Sequence, residues 1–407
     1  MMWFSLKMIC PTHTTKNKFM EVVMKKIGII IGGKSVEHEV SIITGLQVFE
    51  NIDKSIYEPK IIYIQKDGKW LVGDSLHDIN NFKTKKLEDA YEVLPGFKNE
   101  KLILYPHPEL KSGFFGKKYS TYEIDIVFPA VHGTNVEDGA LQGLLQMNGV
   151  PYAFGSVLCS AVGMDKIVMK KVFQSYSLPV VDYMWFYRSG FAENKDKIIK
   201  QAEEIGYPLI VKPANLGSSV GINKAKNQND LMFAMDVAMS YDRKIIIEKC
   251  IENVREINCA VIGYENELET SLCEEPVGWK EFLTYEDKYV NKKKDSSESK
   301  KRIPAEIDEE IEAQIKDYAK QAFNAVDGCG NARIDFLLSG NNIFVNEINT
   351  IPGSISFYLW EGKGVSFKQL ISKIIELAEI QHSQKKVNIV SYDIDLLNKM
   401  GGGGKNK

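Results

Sequence analysis

The sequence lacks the features that would assign it to a specialised class of protein. Its six cysteines form no C-x-x-C pair and no metal-ligand spacing, so neither a disulfide framework nor a zinc site is indicated. No run approaches the roughly 18 apolar residues that a membrane-spanning helix needs. The formal net charge is only -3, which gives no electrostatic reason to bind nucleic acid or an anionic membrane. These absences predict a cytoplasmic protein with reduced thiols.

The length and the element pattern predict several domains. A chain of 407 residues is too long for one compact core. Buried strand runs such as "KIGIIIGGKS" and "DIVFPAVHG" alternate with helical segments, which indicates an α/β fold that begins with an open parallel sheet. The predicted units are a disordered extension (1–23), an N-terminal domain (24–155), a central domain (156–248), a third domain (249–385) with a mobile polar loop (279–302), and a tail (386–407).

One familiar motif must be rejected. The stretch "GIIIGGKS" matches the P-loop pattern G-x-x-x-x-G-K-[ST] from Gly28 to Ser35,. In a P-loop the first glycine begins the turn around the phosphates, whereas Gly28 lies inside a predicted strand. Three isoleucines would have to wrap the phosphate, and that turn requires small residues. We therefore expect a glycine-rich strand-to-helix turn beside a binding site instead.

A polar face on a predicted hairpin points to a metal. Glu347 and Asn349 are two residues apart in "VNEINT" and so share one strand face,. Asp335 in "RIDFLL" faces Glu347 if the hairpin loop has an odd number of residues, and the opposite side if the number is even. Three converging oxygen ligands suit Mg²⁺. The alternative is a solvent-facing hairpin with one polar side.

Two lysines and a loop suggest a nucleotide. Lys212 ends the strand "PLIVK", and the following "PANLGSSVG" can cover phosphates with its backbone N–H groups,. Lys166 in "MDK" offers a second positive charge, and Glu248 in "IIIEK" can accept a hydrogen bond from an adenine amine. Each lysine alone could equally be solvated surface. In combination with the metal ligands, they indicate a magnesium–nucleotide site.

From about residue 25 to residue 380 the chain resembles the D-alanine–D-alanine ligase family. The motifs that carry the resemblance occur in the family's order: "GGKSVEHEVS", "HGTNVEDGALQG", "MDK", "VKPANLGSSVG", "EKCIENVREIN", "YEDKY", "ARIDF" and "NEINTIPG". The resemblance implies an ATP-grasp fold of three α/β domains, the first a pre-ATP-grasp domain, with ATP between the other two. It implies ATP-dependent joining of two D-alanines through an acyl phosphate, for peptidoglycan precursor synthesis.

The resemblance also implies roles for individual residues. Lys166 and Lys212 would bind the ATP phosphates, Lys288 the γ-phosphate, Glu248 the adenine amine and Glu256 the ribose. The full implied nucleotide set is Lys166, Lys212, Ser218, Ser219, Glu248, Lys249, Ile251, Glu256 and Lys288. Two Mg²⁺ (or Mn²⁺) ions would lie on Asp335, Glu347 and Asn349.

Substrate roles follow from the same resemblance. Glu39 would take the ammonium of the first D-alanine, with His132 near the same substrate. Ser218 and Tyr289 would link Glu39 to the mobile loop. A carboxylate is a poor acyl donor, so ATP first converts it to an acyl phosphate, and the second amine then attacks. Charge on the tetrahedral oxyanion needs a cation and an N–H, and the residues implied here are Arg333 and Gly353.

The sequence departs from the family after Gly353. The family commonly has a serine followed by an apolar residue five positions beyond that glycine, where it helps to hold the carboxylate of the second substrate. Here the position is Tyr358, followed by Leu359. Tyr358 could supply its O–H, Ser356 could act after a backbone shift, or the second substrate could differ.

Alternative functions remain at this stage. D-serine or D-lactate could be the second substrate, although Tyr289 favours an amine nucleophile because ester-forming relatives tend to carry histidine there. A nucleotide-binding regulator without catalysis is a further alternative, but the metal ligands and Arg333 are present. The resemblance also suggests a homodimer with small-molecule substrates, ATP and D-alanine.

Overall fold

The structure, a computed structural model, describes residues 24–108, 120–276, 301–391 and 396. The strands are β1 (Lys25–Gly32), β2 (Tyr57–Ile64), β3 (Trp70–Val72), β4 (Tyr91–Lys98), β5 (Lys101–Pro106), β6 (Tyr122–Ile124), β7 (Ile126–Pro129), β8 (Tyr183–Tyr187), β9 (Leu209–Pro213), β10 (Asn223–Ala225), β11 (Lys244–Lys249), β12 (Arg255–Tyr264), β13 (Glu267–Pro276), β14 (Lys301–Arg302), β15 (Cys329–Ser339) and β16 (Asn342–Asn349).

The helices alternate with these strands along most of the chain. They are α1 (His38–Asn51), α2 (Ile79–Thr84), α3 (Ala140–Met147), α4 (Val157–Met164), α5 (Lys166–Ser175), α6 (Phe191–Ile205), α7 (Gln228–Tyr241), α8 (Glu309–Ala325), α9 (Tyr358–Glu361) and α10 (Phe367–Lys386). The α/β class predicted from the sequence is confirmed. None of the helices in the described ranges is long and apolar enough to cross a membrane.

The first sheet has seven strands in the order β6-β5-β4-β3-β2-β1-β7. Its parallel part is β2-β1-β7, as the apolar runs predict. The strands from β3 to β6 pair antiparallel, so the sheet is mixed rather than parallel throughout. The antiparallel extension carries few long apolar runs, which is why the sequence did not indicate it.

The strand β1 rules out a P-loop. Gly28 lies within β1 and pairs with Lys60 of β2, while Ile29, Ile30 and Ile31 are fully buried. The isoleucines therefore belong to the core and cannot surround a phosphate. Helix α1 begins six residues after β1 ends, and the exposed Lys34 lies in the connection.

The second sheet is a four-stranded antiparallel layer in the order β10-β9-β11-β8. Helices α6 and α7 cover it and bury apolar residues against its strands. The predicted amphipathic helix before Gly206 is confirmed, because Ile198, Ile199 and Ala202 of α6 face this core. The sheet places Lys212 of β9 beside β11.

The third sheet runs in the order β14-β13-β12-β15-β16. Its β15–β16 hairpin has a two-residue turn, since Ser339 pairs with Asn342. An even turn alone would separate Asp335 and Glu347. A bulge between Asp335 and Phe336 shifts the register by one residue, and Asp335 therefore lies directly opposite Glu347,. The shared face expected from the sequence exists, but the bulge creates it.

The last long helix, α10, packs against the first strand of the first sheet. Leu370, Ile371 and Ile374 of α10 belong to the same buried cluster as Ile29 and Ile30 of β1. The inward face predicted for this helix is confirmed, and Ser366 caps it through a capping box with Gln369,. This packing holds the segment before α10 against the first sheet.

Several predictions fall outside the described residues. These include the disordered extension 1–23, Lys288, Tyr289 and most of the predicted mobile loop. The last two residues of that loop do have a defined position, because Lys301 and Arg302 form β14 against Pro276 and Glu275 of β13. The domain boundaries remain predictions. The first and third sheets each lie within one predicted unit, and the second extends one residue beyond residue 248, because β11 ends at Lys249.

The rejection of the P-loop gives a first prediction. Lys34→Ala should leave the affinity for ATP within about twofold of wild type, because exposed substitutions change free energies by less than about 0.5 kcal/mol. Isothermal titration calorimetry of both proteins with ATP measures this. A loss of tenfold or more would show that Lys34 contacts the nucleotide.

Candidate active site

A row of polar side chains crosses the third sheet. Glu274 pairs with Asn258, Asn258 with Asp335, and Asp335 with Glu347. Directly opposed residues point to the same face of a sheet, so the four side chains line one surface from β13 to β16. The sequence indicated Asp335 and Glu347. It did not indicate Asn258 and Glu274, because most of the neighbouring residues in their strands are apolar.

Arg333 is the cation next to this row. Its Nε donates to Oδ1 of Asp335 at 2.6 Å and its Nη2 donates to Oδ2 at 2.8 Å, the bidentate geometry of a strong ion pair. Burial raises the pKa of Asp335 even though Arg333 opposes this, and Glu347 adds to the rise. The pKa of Arg333 is raised above its ordinary value because Asp335 outweighs the effect of burial.

The donor set fits a hard divalent cation. Asp335 and Glu347 supply carboxylate oxygens, and Asn349 supplies an amide oxygen while its Nδ2 donates to Oδ2 of Asp335 at 3.0 Å. Oxygen ligands of this kind suit Mg²⁺ or Mn²⁺. Two buried carboxylates this close together also require positive charge. Arg333 and Lys166 supply part of it, and Lys166 Nζ lies 3.4 Å from Glu347.

A second group of charges is buried between α5 and the second sheet. Glu248 of β11 lies 2.7 Å from Nζ of Lys212 and 3.2 Å from Nζ of Lys170. Burial alone would raise the pKa of Glu248, but the two ammonium groups lower it to about 2. Burial lowers the pKa of Lys170, whereas Glu248 and Glu347 raise that of Lys212. Glu248 is therefore an ionised carboxylate whose side chain is 3% exposed.

Lys166 connects the loop after β9 to the third sheet. It is the first residue of α5, whose N-cap Asp165 accepts from the backbone N–H groups of Ile167 and Val168,. The Lys166 ammonium donates to the carbonyl oxygen of Leu216 at 3.0 Å. Because its other neighbour is Glu347, one lysine spans the two walls of the site.

The structure corrects one of the substrate residues. Glu39 lies in the first turn of α1 with its side chain 70% exposed, and it pairs with Lys66 at 3.5 Å on the surface. Glu37, at the N-cap of α1, accepts a hydrogen bond from Oγ of Ser218. Residues two apart on a helix point in directions about 200° apart, so only one of the two can face the site.

Two glycines allow this approach to Glu37. A Cβ on Gly217 would lie 2.5 Å from Oε2 of Glu37, and a Cβ on Gly133 would lie 2.9 Å from the same oxygen. Both distances are shorter than real contacts, so a side chain at either position would displace the carboxylate. The loop before Ser218 and the loop after β7 thus converge on Glu37.

A second carboxylate in this region was missed from the sequence. Glu137 accepts from the backbone N–H of Gly133 at 2.9 Å and from that of Ile351 at 3.1 Å. Burial and the neighbouring charge of Glu37 raise its pKa to about 8, while Lys166 opposes the rise. Glu137 therefore holds the loop after β7 to the segment after β16, and it binds a proton at neutral pH.

His132 has protein partners at both ring nitrogens. Its Nδ1 lies 2.9 Å from the carbonyl oxygen of Ile351 and its Nε2 lies 2.8 Å from Oγ1 of Thr44. Burial lowers the pKa of His132 to about 4, so the ring is neutral, with the proton on Nδ1 and an acceptor at Nε2. Since Thr44 also accepts from the N–H of Ser354, His132 and Thr44 fasten the turn after Gly353 to the first sheet.

That turn is strained. Ser354, Ile355 and Ser356 have φ of 50°, 53° and 49°, a left-handed conformation that is costly for a β-branched residue. Asn331 holds the turn by donating to the carbonyl oxygen of Ile355 at 2.9 Å. A Cβ on Gly353 would meet no heavy atom within 4 Å, so Gly353 borders open space beside the site.

The turn decides between the residues suggested for the second substrate. Ser356 is fully buried, and its Oγ has no hydrogen-bond partner among the residues that the structure describes. Leu359 is fully buried in the core. Neither side chain reaches the surface of the site, so the assignment of both as substrate-contacting side chains needs correction. Tyr358 is partly exposed and is the one of the three that borders the site.

Tyr358 is held by residues of the third sheet. Its O–H donates to Oε2 of Glu274 at 3.2 Å, and Nδ2 of Asn258 donates to the same oxygen at 3.1 Å. The Lys301 ammonium lies 3.8 Å from the centre of the Tyr358 ring and 3.3 Å from Glu274. The polar row of the third sheet therefore extends into the pocket next to Gly353.

The remaining nucleotide residues lie around the same cleft. Ser219 follows Ser218 in the loop after β9, and both have positive φ. Glu256 points to the same side of β12 as Asn258, because the two are two residues apart on one strand,. The Lys249 side chain points away from this cleft and donates to the carbonyl oxygens of Gly206 and Tyr207 at 2.9 and 3.1 Å. Ile251 lies two residues after the end of β11.

Comparison with known proteins identifies the family. A model of the D-ala D-ala ligase N-terminus matches residues 26–156, and one of the D-ala D-ala ligase C-terminus matches residues 172–376. The chain belongs to the D-ala D-ala ligase family. It is 41% identical to the D-alanine–D-alanine ligase of Thermosipho melanesiensis over 378 residues, which cover 92% of this chain and 98% of that protein.

Solved structures of the ligase family have the same fold. The D-alanine-D-alanine ligase from Coxiella burnetii is 28% identical with a TM-score of 0.74, over 93% of this chain and 98% of that one. The VanG D-Ala:D-Ser ligase from Enterococcus faecalis is 30% identical with a TM-score of 0.71, over 87% of this chain and 99% of that one. The ATP-grasp architecture expected from the resemblance is thereby confirmed.

The protonated Glu137 gives a prediction about stability. A carboxyl whose pKa rises from about 4.5 to about 8 on folding binds more protons in the folded state between those values. Stability therefore falls as pH rises through this range, by up to about 1.4 kcal/mol per pH unit. Glu137→Gln removes the titration, so its free energy of unfolding should increase relative to wild type from pH 5 to pH 8.

Urea unfolding of both proteins at pH 5, 6, 7 and 8 measures the difference. The direction of the change is decisive. The free energy of unfolding of the glutamine variant, relative to that of wild type, must increase as the pH rises. If the difference in the free energy of unfolding between the two proteins does not change with pH, Glu137 is ionised in the folded protein.

Proposed function

We propose that the protein joins two D-alanines in an ATP-dependent reaction that yields D-alanyl-D-alanine, ADP and phosphate, and that supplies the peptidoglycan precursor. The observation that carries the proposal is the convergence on one cleft of the carboxylates Asp335 and Glu347, the lysines Lys166 and Lys212, and Arg333. Phosphoryl transfer needs this combination of metal ligands and fixed positive charge.

The lysines neutralise the phosphates. Lys166 and Lys212 approach from the helix α5 and the strand β9, and the loop around Ser218 and Ser219 covers the space between them. Positive φ at both serines turns successive N–H groups toward one side, which is how loops bind anions. Glu248 lies next to Lys212, and we assign it to the base of the nucleotide.

Asp335, Glu347 and Asn349 would hold divalent metal ions. Such ions would supply positive charge that neutralises the phosphates during transfer. The side chain of Arg333 keeps Asp335 in place, and Lys166 does the same for Glu347. With both carboxylates fixed by protein contacts, the metal ligands are oriented before substrate arrives.

The first D-alanine would bind with its ammonium at Glu37. Its carboxylate oxygen then attacks the γ-phosphorus of ATP, the bond to ADP breaks, and an acyl phosphate forms. Ser218 links Glu37 to the phosphate-covering loop, so the ammonium site and the phosphate site are adjacent. Acyl phosphates hydrolyse readily, and a closed loop over the cleft would exclude water.

The amine of the second D-alanine would attack the acyl carbon, and phosphate leaves with its bridging oxygen. The tetrahedral oxyanion needs donors. Arg333 lies beside the cleft, and the N–H of Gly353 borders open space at its edge. The strained turn after Gly353, fixed by Thr44 and Asn331, would keep that N–H in position.

At the proposed site of the second substrate, Tyr358 replaces the serine that the family commonly has. Tyr358 gives its hydrogen to Glu274 and so offers an acceptor to a ligand, whereas a serine at this position would donate to a carboxylate. Lys301, above the Tyr358 ring, is the nearby cation. D-serine or D-lactate remains an alternative second substrate, and a relative of 30% identity is named a D-Ala:D-Ser ligase.

We also propose that the enzyme acts in the cytoplasm as a homodimer with small molecules as its only substrates. The composition and the family resemblance support this setting. Sedimentation velocity of the full chain distinguishes a dimer from a monomer.

Product analysis tests the proposed function. The full-length protein with ATP, Mg²⁺ and D-alanine should release ADP and form D-alanyl-D-alanine, identified by mass spectrometry. Parallel reactions with added D-serine or D-lactate reveal the second substrate by the mass of the mixed product. The absence of any D-alanine-dependent ADP release would refute the proposal in all its forms.

Glu37 and Glu39, at the start of α1, can be compared with a matched pair of variants. Glu37→Gln should lower kcat/KM for D-alanine by about 10- to 100-fold, because a charge-assisted hydrogen bond to the ammonium is lost. Glu39→Gln removes the same charge on the exposed side of α1 and should stay within about twofold of wild type. Steady-state ADP release measures both, and the reverse ranking would restore Glu39 as the ligand.

The metal assignment gives a further prediction. Glu347→Gln keeps the volume but removes one ligand charge, so kcat should fall by more than about 100-fold while the thermal unfolding temperature changes little. Turnover is measured over a titration of MgCl₂ and MnCl₂. Turnover at the wild-type level at low metal concentration would exclude Glu347 as a ligand.

A further inference from the structure

Lys170 is a buried charge that the proposed reaction does not use. Its side chain is 1% exposed, and its ammonium lies 3.2 Å from Oε1 of Glu248. The titratable and charged groups that face it are Glu248, Lys212, Glu347 and the ring of Tyr183, whose centre is 5.9 Å away. Lys170 thus belongs to the buried group of charges around Glu248.

Stability alone does not explain this lysine. A buried ammonium loses its hydration, and replacement of buried ion pairs by apolar side chains is often neutral or stabilising. Three of the other buried residues of α5, Ile167, Met169 and Phe173, are apolar, and the fourth is Lys166. A methionine would fill the same space, so packing alone does not require a charge at this position.

The charges around Glu248 form a group of three. One carboxylate lies between two ammonium groups, Lys170 and Lys212. The proposed reaction assigns Lys212 to the phosphates of the nucleotide and gives Lys170 no ligand. Lys170, whose ammonium lies 3.2 Å from Oε1 of Glu248, is therefore the cation that is available to orient this carboxylate.

We propose that Lys170 is a positioning residue for the nucleotide base: it holds Glu248 as an oriented carboxylate that accepts from an exocyclic amine, and so selects adenine over a 6-oxo purine. The inference rests on the proposed nucleotide site. A 6-oxo purine presents an acceptor where adenine presents an amine, and an ionised carboxylate rejects it because both groups are acceptors.

Helix α5 carries both a lysine proposed to bind phosphate and the lysine that contacts Glu248. Lys166 and Lys170 are four residues apart and so lie on the same face of the helix. Lys166 reaches the carbonyl of Leu216 and Glu347, and Lys170 reaches Glu248. The next residue, Lys171, is on the outer face, exposed, with its ammonium 4.7 Å from the Trp185 ring centre.

Lys171 is therefore the matched control. Both lysines are on the same helix, and Lys171→Met and Lys170→Met remove the same charge. A general effect of helix charge on nucleotide binding would appear in both variants. An effect through Glu248 would appear in Lys170→Met alone.

Direct binding of ADP and inosine diphosphate by isothermal titration calorimetry tests the proposal, using the full chain with Mg²⁺. Wild type should bind ADP at least tenfold more tightly than inosine diphosphate. Lys170→Met should weaken ADP binding and bring the ratio of the two affinities to within about threefold of one. Lys170→Arg should recover most of the ratio, and Lys171→Met should keep the wild-type ratio.

Three results would overturn the proposal. They are a wild type that does not distinguish the two diphosphates, a Lys170→Met variant that keeps the wild-type ratio, and an equal loss in Lys171→Met. If the methionine variant does not fold, Lys170→Gln, which is neutral but can hydrogen-bond, gives the same test. A wild type that prefers ADP but forms no D-alanyl-D-alanine refutes the ligase function and leaves the Lys170 result intact.

Discussion

The site depends on burying charges together. Asp335 and Arg333 form a bidentate pair inside the third sheet, and Glu248 lies between two lysines inside the second. No one of these groups could be buried alone, because an isolated charge in the interior costs several kcal/mol. The pairing orients the carboxylates, and the two ammonium groups lower the pKa of Glu248 to about 2. The proposed binding of metal and nucleotide depends on this arrangement.

The connections between the sheets complete the site. Helix α10 packs into the core of the first sheet, and Glu137, His132 and Thr44 hold the segment from Ile351 to Ser354 against it. These contacts bring Glu37, the proposed ammonium site, close to the segment that leads to Gly353, because Glu137 is influenced by Glu37 and accepts from the N–H of Ile351. The strain of three left-handed residues is maintained by these contacts, as expected where a backbone N–H must face a reacting group.

The sequence predicted the parts of this site that depend on local pattern. Periodicity indicated the buried strand β1, the inward face of α10 and the shared face of Glu347 and Asn349. It placed Asp335 opposite Glu347 only for a hairpin loop with an odd number of residues, and the turn has two. The bulge that aligns the hairpin was not indicated, because nothing in "NIFVNEIN" marks an extra residue. Glu37 and Glu39 differ only by where α1 begins. Lys170 and Lys171 are adjacent lysines that the sequence alone does not distinguish. Only the packing of α5 shows that Lys170 is buried and Lys171 is exposed.

The central claim is that this cleft activates a carboxylate by phosphorylation, and transfer of oxygen tests it most directly. D-alanine labelled with ¹⁸O in its carboxylate is incubated with the protein, ATP and Mg²⁺ in ordinary water, and the released phosphate is weighed by mass spectrometry. The account predicts one ¹⁸O in each phosphate formed together with dipeptide. Unlabelled phosphate would show that its fourth oxygen came from water, and would contradict the acyl phosphate.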